Sequence, residues 1–81
     1  MAKLRILSAR GDSVVVWDPQ GAEAGDLEAA AAVMEAERIF QEHQARGATA
    51  FRLAPDKPAE RIDEFDPRAQ EIIMVPRVAG G

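Results

Sequence analysis

From Leu27 to Arg46 the chain runs twenty residues without a proline or a glycine. The run is rich in Ala, Glu, Gln and Arg, all good helix formers. Asp26 stands just before it as an N-cap, with Glu28 near the positive end of the helix dipole. Gly47 stands just after it as a stop signal, with Arg46 complementing the negative end. At 100° per residue, Ala29, Ala32, Val33, Ala36, Ile39, Phe40 and His43 share one apolar face. Glu28, Glu35 and Glu42 follow one another along its flank. An 81-residue chain makes one domain, so one long helix leaves little for the rest of the chain except a sheet for it to cover.

The flanking segments read as strands. "KLRILSA" and "SVVVWD" are β-rich runs joined by "RGD", and Gly11 with Asp12 suits a tight turn, so a hairpin is predicted. Arg10-Gly11-Asp12 also matches an integrin-binding tripeptide, but a turn explains Gly11 and Asp12 fully. Val14 and Val16 are assigned to the core face, and Val15 and Trp17 to the other face. "PQGAEAG" is predicted as a loop. "ATAFRL" is a third strand with Thr49, Phe51 and Leu53 on one side. "APDKPAE" is a loop fixed by Pro55 and Pro58, and "RIDEF" a short fourth strand turning Ile62 and Phe65 inward. "DPRAQ" suggests one turn of helix, with Asp as N-cap and Pro at the first helical position. "EIIMV" is the last strand. The predicted fold is α+β: a mixed four- to five-stranded sheet packed on one long helix. Its sheet side is Leu4, Ile6, Val14, Val16, Phe51, Leu53, Ile62, Phe65, Ile72 and Met74.

Composition removes several function classes. At 47% hydrophobic and 30% charged, the chain has the balance of a folded globular protein. It has no cysteine, hence no disulfide framework, thiolate zinc site or cysteine nucleophile. Net charge is −4 and the basic residues are scattered, so nucleic-acid binding is not expected. The N-terminal residues lack the apolar stretch of a signal peptide, and no run reaches the length of a membrane span, so a cytoplasmic location is expected. The single histidine, His43, lies near the end of the helical run. Neither Ser8 nor Ser13 sits in a nucleophile motif, and His43 with Glu35 and Glu42 is not a metal cluster. No enzyme and no bound cofactor are expected.

The last residues, "IIMVPRVAGG", are the informative ones. Pro76 ends the final strand because it has no N–H to donate to a sheet ladder. Arg77, Val78 and Ala79 form a short spacer, and Gly80 and Gly81 lack Cβ atoms. Residues 1–75 are therefore read as the domain and 76–81 as a flexible tail. A thin end of this kind can thread a carboxylate into a narrow site on another protein, where ATP can adenylate it. The bland alternative is an ordinary frayed terminus.

"EIIMVPRVAGG" resembles the end of MoaD, the small subunit of molybdopterin synthase, with its Pro-containing "PPVxGG"-type tail. ThiS, the thiamine sulfur carrier, and ubiquitin also end in Gly-Gly after the last strand of a β-grasp fold. The hairpin–helix–strand order is similar to β-grasp (ubiquitin-like) over essentially the whole chain, while the motif covers about the last eleven residues. Arg77 stands where MoaD-like tails tend to have a second proline, and an arginine there is closer to ubiquitin. The resemblance implies a carrier or modifier activated by an E1-like or MoeB-like adenylating enzyme that consumes ATP. The terminal glycine then becomes a thiocarboxylate for sulfur transfer or is joined to an amine. Carried over by position, Gly81 is the activated residue, Gly80 its sterically required neighbour, and Val78 and Ala79 the threaded spacer. Further partners implied are a sulfurtransferase, a synthase large subunit or a conjugation target. With Gly81 last, no protease is expected to be needed. Lys3 and Lys57 are the only lysines, which favours single transfers over chains. A β-grasp adaptor without tail chemistry is the competing class.

A carrier needs a docking face. Leu27, Ala30, Ala31 and Met34 lie together on the helix away from its core face, near Arg38, and Trp17 and Val15 form a second candidate. Two plainer readings stay open: Leu27 packing under "PQGAEAG", and Trp17 covering a sheet edge. With no coiled-coil seam on the helix, a monomer is expected for the chain alone.

Overall fold

The computed structural model describes residues 1–77. It is α+β: β1 (Ala2–Ile6), β2 (Ser13–Trp17), α1 (Pro19–Glu23), α2 (Leu27–Ala45), β3 (Thr49–Ala54), β4 (Lys57–Ile62) and β5 (Glu71–Val75). The five strands form one sheet in the order β2-β1-β5-β3-β4. It is mixed, because β1 and β5 run parallel and every other pair is antiparallel. The first and last strands thus meet in the middle, and α2 covers one face.

Helix α2 forms as its end signals predict. Asp26 Oδ1 accepts from the backbone N–H of Glu28 at 2.9 Å and of Ala29 at 3.3 Å. Ala29, Ala36 and Phe40 are buried, and Ala32, Val33 and Ile39 pack against the core. The helix is preceded by α1, where a loop was expected. Asp18 caps it by accepting from Gln20 N–H at 3.1 Å, and Pro19 takes the first turn, where no N–H is needed. Gly21 lets α1 close on α2, since a Cβ there would lie 2.9 Å from Asp18 Oδ2 and 3.2 Å from Ala29 Cβ.

Strand phase differs from the prediction in two places. The β1–β2 register pairs Ala2 with Trp17, Leu4 with Val15 and Ile6 with Ser13. Directly opposed residues share a face, so Trp17 joins buried Leu4 and Ile6, while Val14 and Val16 lie on the opposite face and are exposed. The cause is one residue of register, which flips every side chain of a strand. Strand β2 begins at Ser13 opposite Ile6, leaving residues 7–12 as the connection, where Ser8 Oγ donates to the Gly11 carbonyl at 2.6 Å. On β3, pairing with β5 puts Ala50 on the helix side and Phe51 and Leu53 on the outer side, where they are half-buried. Ala50 lies there between Met74 of β5 and Ile62 of β4, in the same apolar cluster as Phe40.

The fourth strand also begins earlier than predicted. Ala54 pairs with Lys57 across a turn of Pro55 and Asp56, with Asp56 at φ 63°. Pro58 is accommodated because β4 is an edge strand. "DPRAQ" is a turn rather than a helix. Asp66 Oδ1 accepts from Arg68 N–H at 2.9 Å and the Asp66 carbonyl from Ala69 N–H at 3.1 Å.

The segment between β4 and β5 is held from three sides. Trp17 Nε1 donates to the Pro67 carbonyl at 2.9 Å. The Phe65 ring centroid lies 5.3 Å from that of Trp17 and 5.7 Å from that of Phe40. Arg52 pairs with Asp66 at 2.6 Å and with Glu60 at 2.8 Å. Burial pushes the Asp66 carboxyl up, but the Arg68 N–H and the Arg52 guanidinium outweigh it and hold it below the ordinary carboxylate range.

Trp17→Phe removes the indole donor and leaves part of its volume empty, so urea unfolding should show a loss of about 1–3 kcal/mol. Asp66→Asn keeps an acceptor for Arg68 but loses the charge paired with Arg52. Because the folded carboxyl titrates below its unfolded value, the wild type's advantage of about 1 kcal/mol should be full above about pH 4. It should vanish as pH falls through the lowered folded value, which unfolding of both proteins across an acid pH series will reveal.

Candidate functional site

The base of the predicted tail is built from the sheet's middle strand. Strand β5 lies between β1 and β3, with Ile72 and Met74 buried beneath the helix and Ile73 and Val75 half-buried on the outer face. Val75 is the last residue of the ladder, paired with Thr49, and Pro76 follows it. The Arg77 stem lies over Gly47, just past the end of α2. A Cβ on Gly47 would meet Arg77 Cδ at 3.1 Å and Arg77 Cβ at 3.4 Å. Gly47 itself has φ 97°. Its N–H donates to the Gln44 carbonyl at 2.9 Å, and Ala48 N–H to the His43 carbonyl at 3.0 Å, a helix stop that leads straight into β3. The glycine thus ends the helix and also seats Arg77, a role that its stop-signal reading missed. Val78, Ala79, Gly80 and Gly81 lie outside the described residues.

The predicted docking residues separate. Trp17 is a correction: it is 1% exposed and inside the core, so it offers no surface to a partner. Its large apolar ring favours the inside, and the Pro67 carbonyl accepts from the indole N–H that burial would otherwise leave unpaired. Leu27 and Met34 do share an exposed helix face, at 85% and 70% exposure, with Ala31 between them. Leu27 is therefore not packed under the preceding segment. Below this stripe Arg38 bridges Glu35 at 2.6 Å and Glu42 at 3.0 Å, and Arg46 also reaches Glu42 at 3.0 Å. The Arg38 hydrogen bond draws the Glu35 carboxyl below its ordinary value. These are solvated pairs on a helix flank.

A third surface was not predicted. The outer sheet face carries Val14 and Val16 from β2, Ile73 and Val75 from β5, and Phe51 and Leu53 from β3. Lys3 and Arg5 share this face and flank Glu71, at 3.9 and 3.7 Å. Arg61 faces Phe51 from β4. Basic charge therefore gathers here on a chain of net charge −4. The face includes Val75, next to the tail. Leu27, in contrast, lies at the far end of α2 from Gly47, about 27 Å along the helix axis. Alternation in "SVVVW" and "TAFRL" carried the signal for this face, with the phase reversed.

Among the described residues, no three His, Asp or Glu side chains come together as metal ligands, and no polar or charged residue is buried. His43 is half-buried in the last turn of α2. No helix among the described residues is long and apolar enough to cross a membrane.

Gly47→Ala combines a strained positive φ with a close approach to Arg77. A stability loss of about 1 kcal/mol is expected, with amide shift changes concentrated at Arg77 and residues 46–49. Unchanged shifts at Arg77 would mean that Gly47 does not seat it.

The chain matches no protein-family model, no curated protein and no solved structure.

Proposed function

We propose that this chain is a ubiquitin-like sulfur carrier. Its Gly81 carboxylate is adenylated by an E1-like or MoeB-like enzyme and becomes a thiocarboxylate for sulfur transfer in cofactor biosynthesis, in the manner of MoaD and ThiS. The strand order β2-β1-β5-β3-β4, with α2 across one face, is compatible with a β-grasp fold. The observation that carries the reading is the junction before the tail. A central strand ends at Pro76, Arg77 is seated on Gly47, and Val78-Ala79-Gly80-Gly81 follow directly in sequence. A fixed base below a glycine-terminated segment is what an enzyme needs in order to hold the domain and thread the end.

The chemistry belongs to the partners. Attack of the carboxylate on ATP gives an acyl adenylate and pyrophosphate. A persulfide on a sulfurtransferase displaces AMP to give an acyl disulfide, and a thiol of that partner cleaves it, releasing the thiocarboxylate and leaving a disulfide on the partner. The chain itself is a substrate and binds no cofactor in this reading. Its location is the cytoplasm, where ATP and the activating enzyme are available. The outer sheet face is the docking surface of this proposal, because its apolar residues are interleaved with Lys3 and Arg5 from β1 and Arg61 from β4, and it runs on to Val75. A synthase subunit or activating enzyme with acidic side chains set opposite these cations fits it.

Arg77 favours a second reading, because an arginine in the tail suits a ubiquitin-like modifier joined to target amines through Gly81. A β-grasp adaptor that uses the outer face alone is the third. Intact mass of the protein recovered from its own host, beside a Gly81-deleted control, separates them. An oxygen-to-sulfur gain on the full-length chain alone is expected. Ligation to other proteins through Gly81 makes it a modifier. An unmodified chain in a host with a working adenylating enzyme overturns both tail readings and leaves the adaptor.

A further inference from the structure

The two edges of the sheet are protected very differently. Strand β4 carries Lys57, Pro58, Glu60 and Arg61, residues that discourage another strand from adding. Strand β2, at the other edge, reads Ser13-Val14-Val15-Val16-Trp17, with no charge and no proline.

Two hydrogen bonds fix which backbone groups of β2 are free. Lys3 N–H donates to the Gln70 carbonyl and Leu7 N–H to the Met74 carbonyl, both at 3.0 Å. Residues 3, 5 and 7 therefore turn their backbone groups toward β5, and Ala2, Leu4 and Ile6 turn theirs toward β2. Their partners Trp17, Val15 and Ser13 complete that ladder. The N–H and C=O groups of Val14 and Val16 consequently point outward from the edge.

We propose that β2 pairs antiparallel with β2 of a second copy of this chain, with Val15 on the two-fold axis. The register is self-complementary. Val14 falls opposite Val16 of the other copy, and Val16 opposite its Val14, so every outward N–H and C=O of the two residues finds a partner. The same register joins the Val14 and Val16 side chains, 50% and 46% exposed, into one four-valine cluster on the outer face. A self-matching strand of this kind is suited to a symmetric dimer. The area is small for a stable complex, so the dimer is weak and the chain is monomeric when dilute. Asp12 and Asp18 of opposite copies approach each other at both ends of the pairing, so added salt strengthens it. Strand β1 separates β2 from β5, which leaves the tail base clear.

Sedimentation velocity of the full chain, from about 10 µM to about 1 mM, tests the dimer. A concentration-dependent dimer is expected, strengthened by salt, with amide shift changes at residues 13–17. Val16→Pro removes only an outward donor, and Val14→Lys puts a charge on the cluster. Each should weaken association at least about tenfold while the far-UV circular dichroism stays that of the wild type. If the proline variant does not fold, the lysine variant decides. A monomer throughout, a dimer insensitive to the variants, or shift changes centred on Leu27 and Met34 would overturn the proposal.

Discussion

The Trp17 indole N–H donates to the Pro67 carbonyl across 50 residues of sequence. This bond ties the edge strand β2 to the segment that feeds the central strand β5. The Phe65 ring lies against Trp17 and Phe40, so the same cluster also holds α2. A small domain has few ways to join its parts, and one large aromatic residue contributes much of its buried apolar area. Because the indole N–H is satisfied, the residue can be almost wholly buried without an orphaned donor.

What Trp17 brings inward it also denies to the surface. With Trp17 and Val15 facing the helix, Val14 and Val16 must face outward. The pairing of β3 with β5 likewise turns Phe51 and Leu53 to the uncovered side. Helix α2 covers one face of the sheet, so these residues lie with Ile73 and Val75 on the uncovered face, where Lys3 and Arg5 of β1 stand between the β2 valines and β5. The tail base emerges beside that surface. In the proposed carrier role the outer face would be the surface that is held, and the Arg77–Gly47 contact would fix the base of the segment that is modified.

Much of this was legible in the residues. Asp26 and Gly47 bracket α2 because capping is local chemistry, and the helix face from Ala29 to Phe40 follows from its period. Strand β5 and the first hairpin are plain from composition. The phase of β2 was not legible, because three successive valines fit either face and the choice rests on one residue of register. The face of β3 is set by its register with β5, a tertiary fact. Helix α1 and the early start of β4 were hidden by prolines that mark loops as readily as first turns and edge strands. The exposure of Leu27 and Met34 on one helix face follows from helical periodicity, whereas Gly80 and Gly81, singled out by residue type, lie outside the described residues. The seat of Arg77 on Gly47 joins positions 30 residues apart, and no local pattern reveals it.

The inward phase of β2 underlies the outer face, the docking role proposed for it and the free edge together, and the chain has a single tryptophan with which to test it. The most direct measurement is steady-state fluorescence of Trp17 in the native and urea-unfolded protein, with acrylamide and iodide as quenchers. Blue-shifted native emission that resists both quenchers and becomes accessible on unfolding is the predicted result. Native emission as red-shifted and as readily quenched as in the unfolded chain would contradict it, and would put Val14 and Val16 in the core instead.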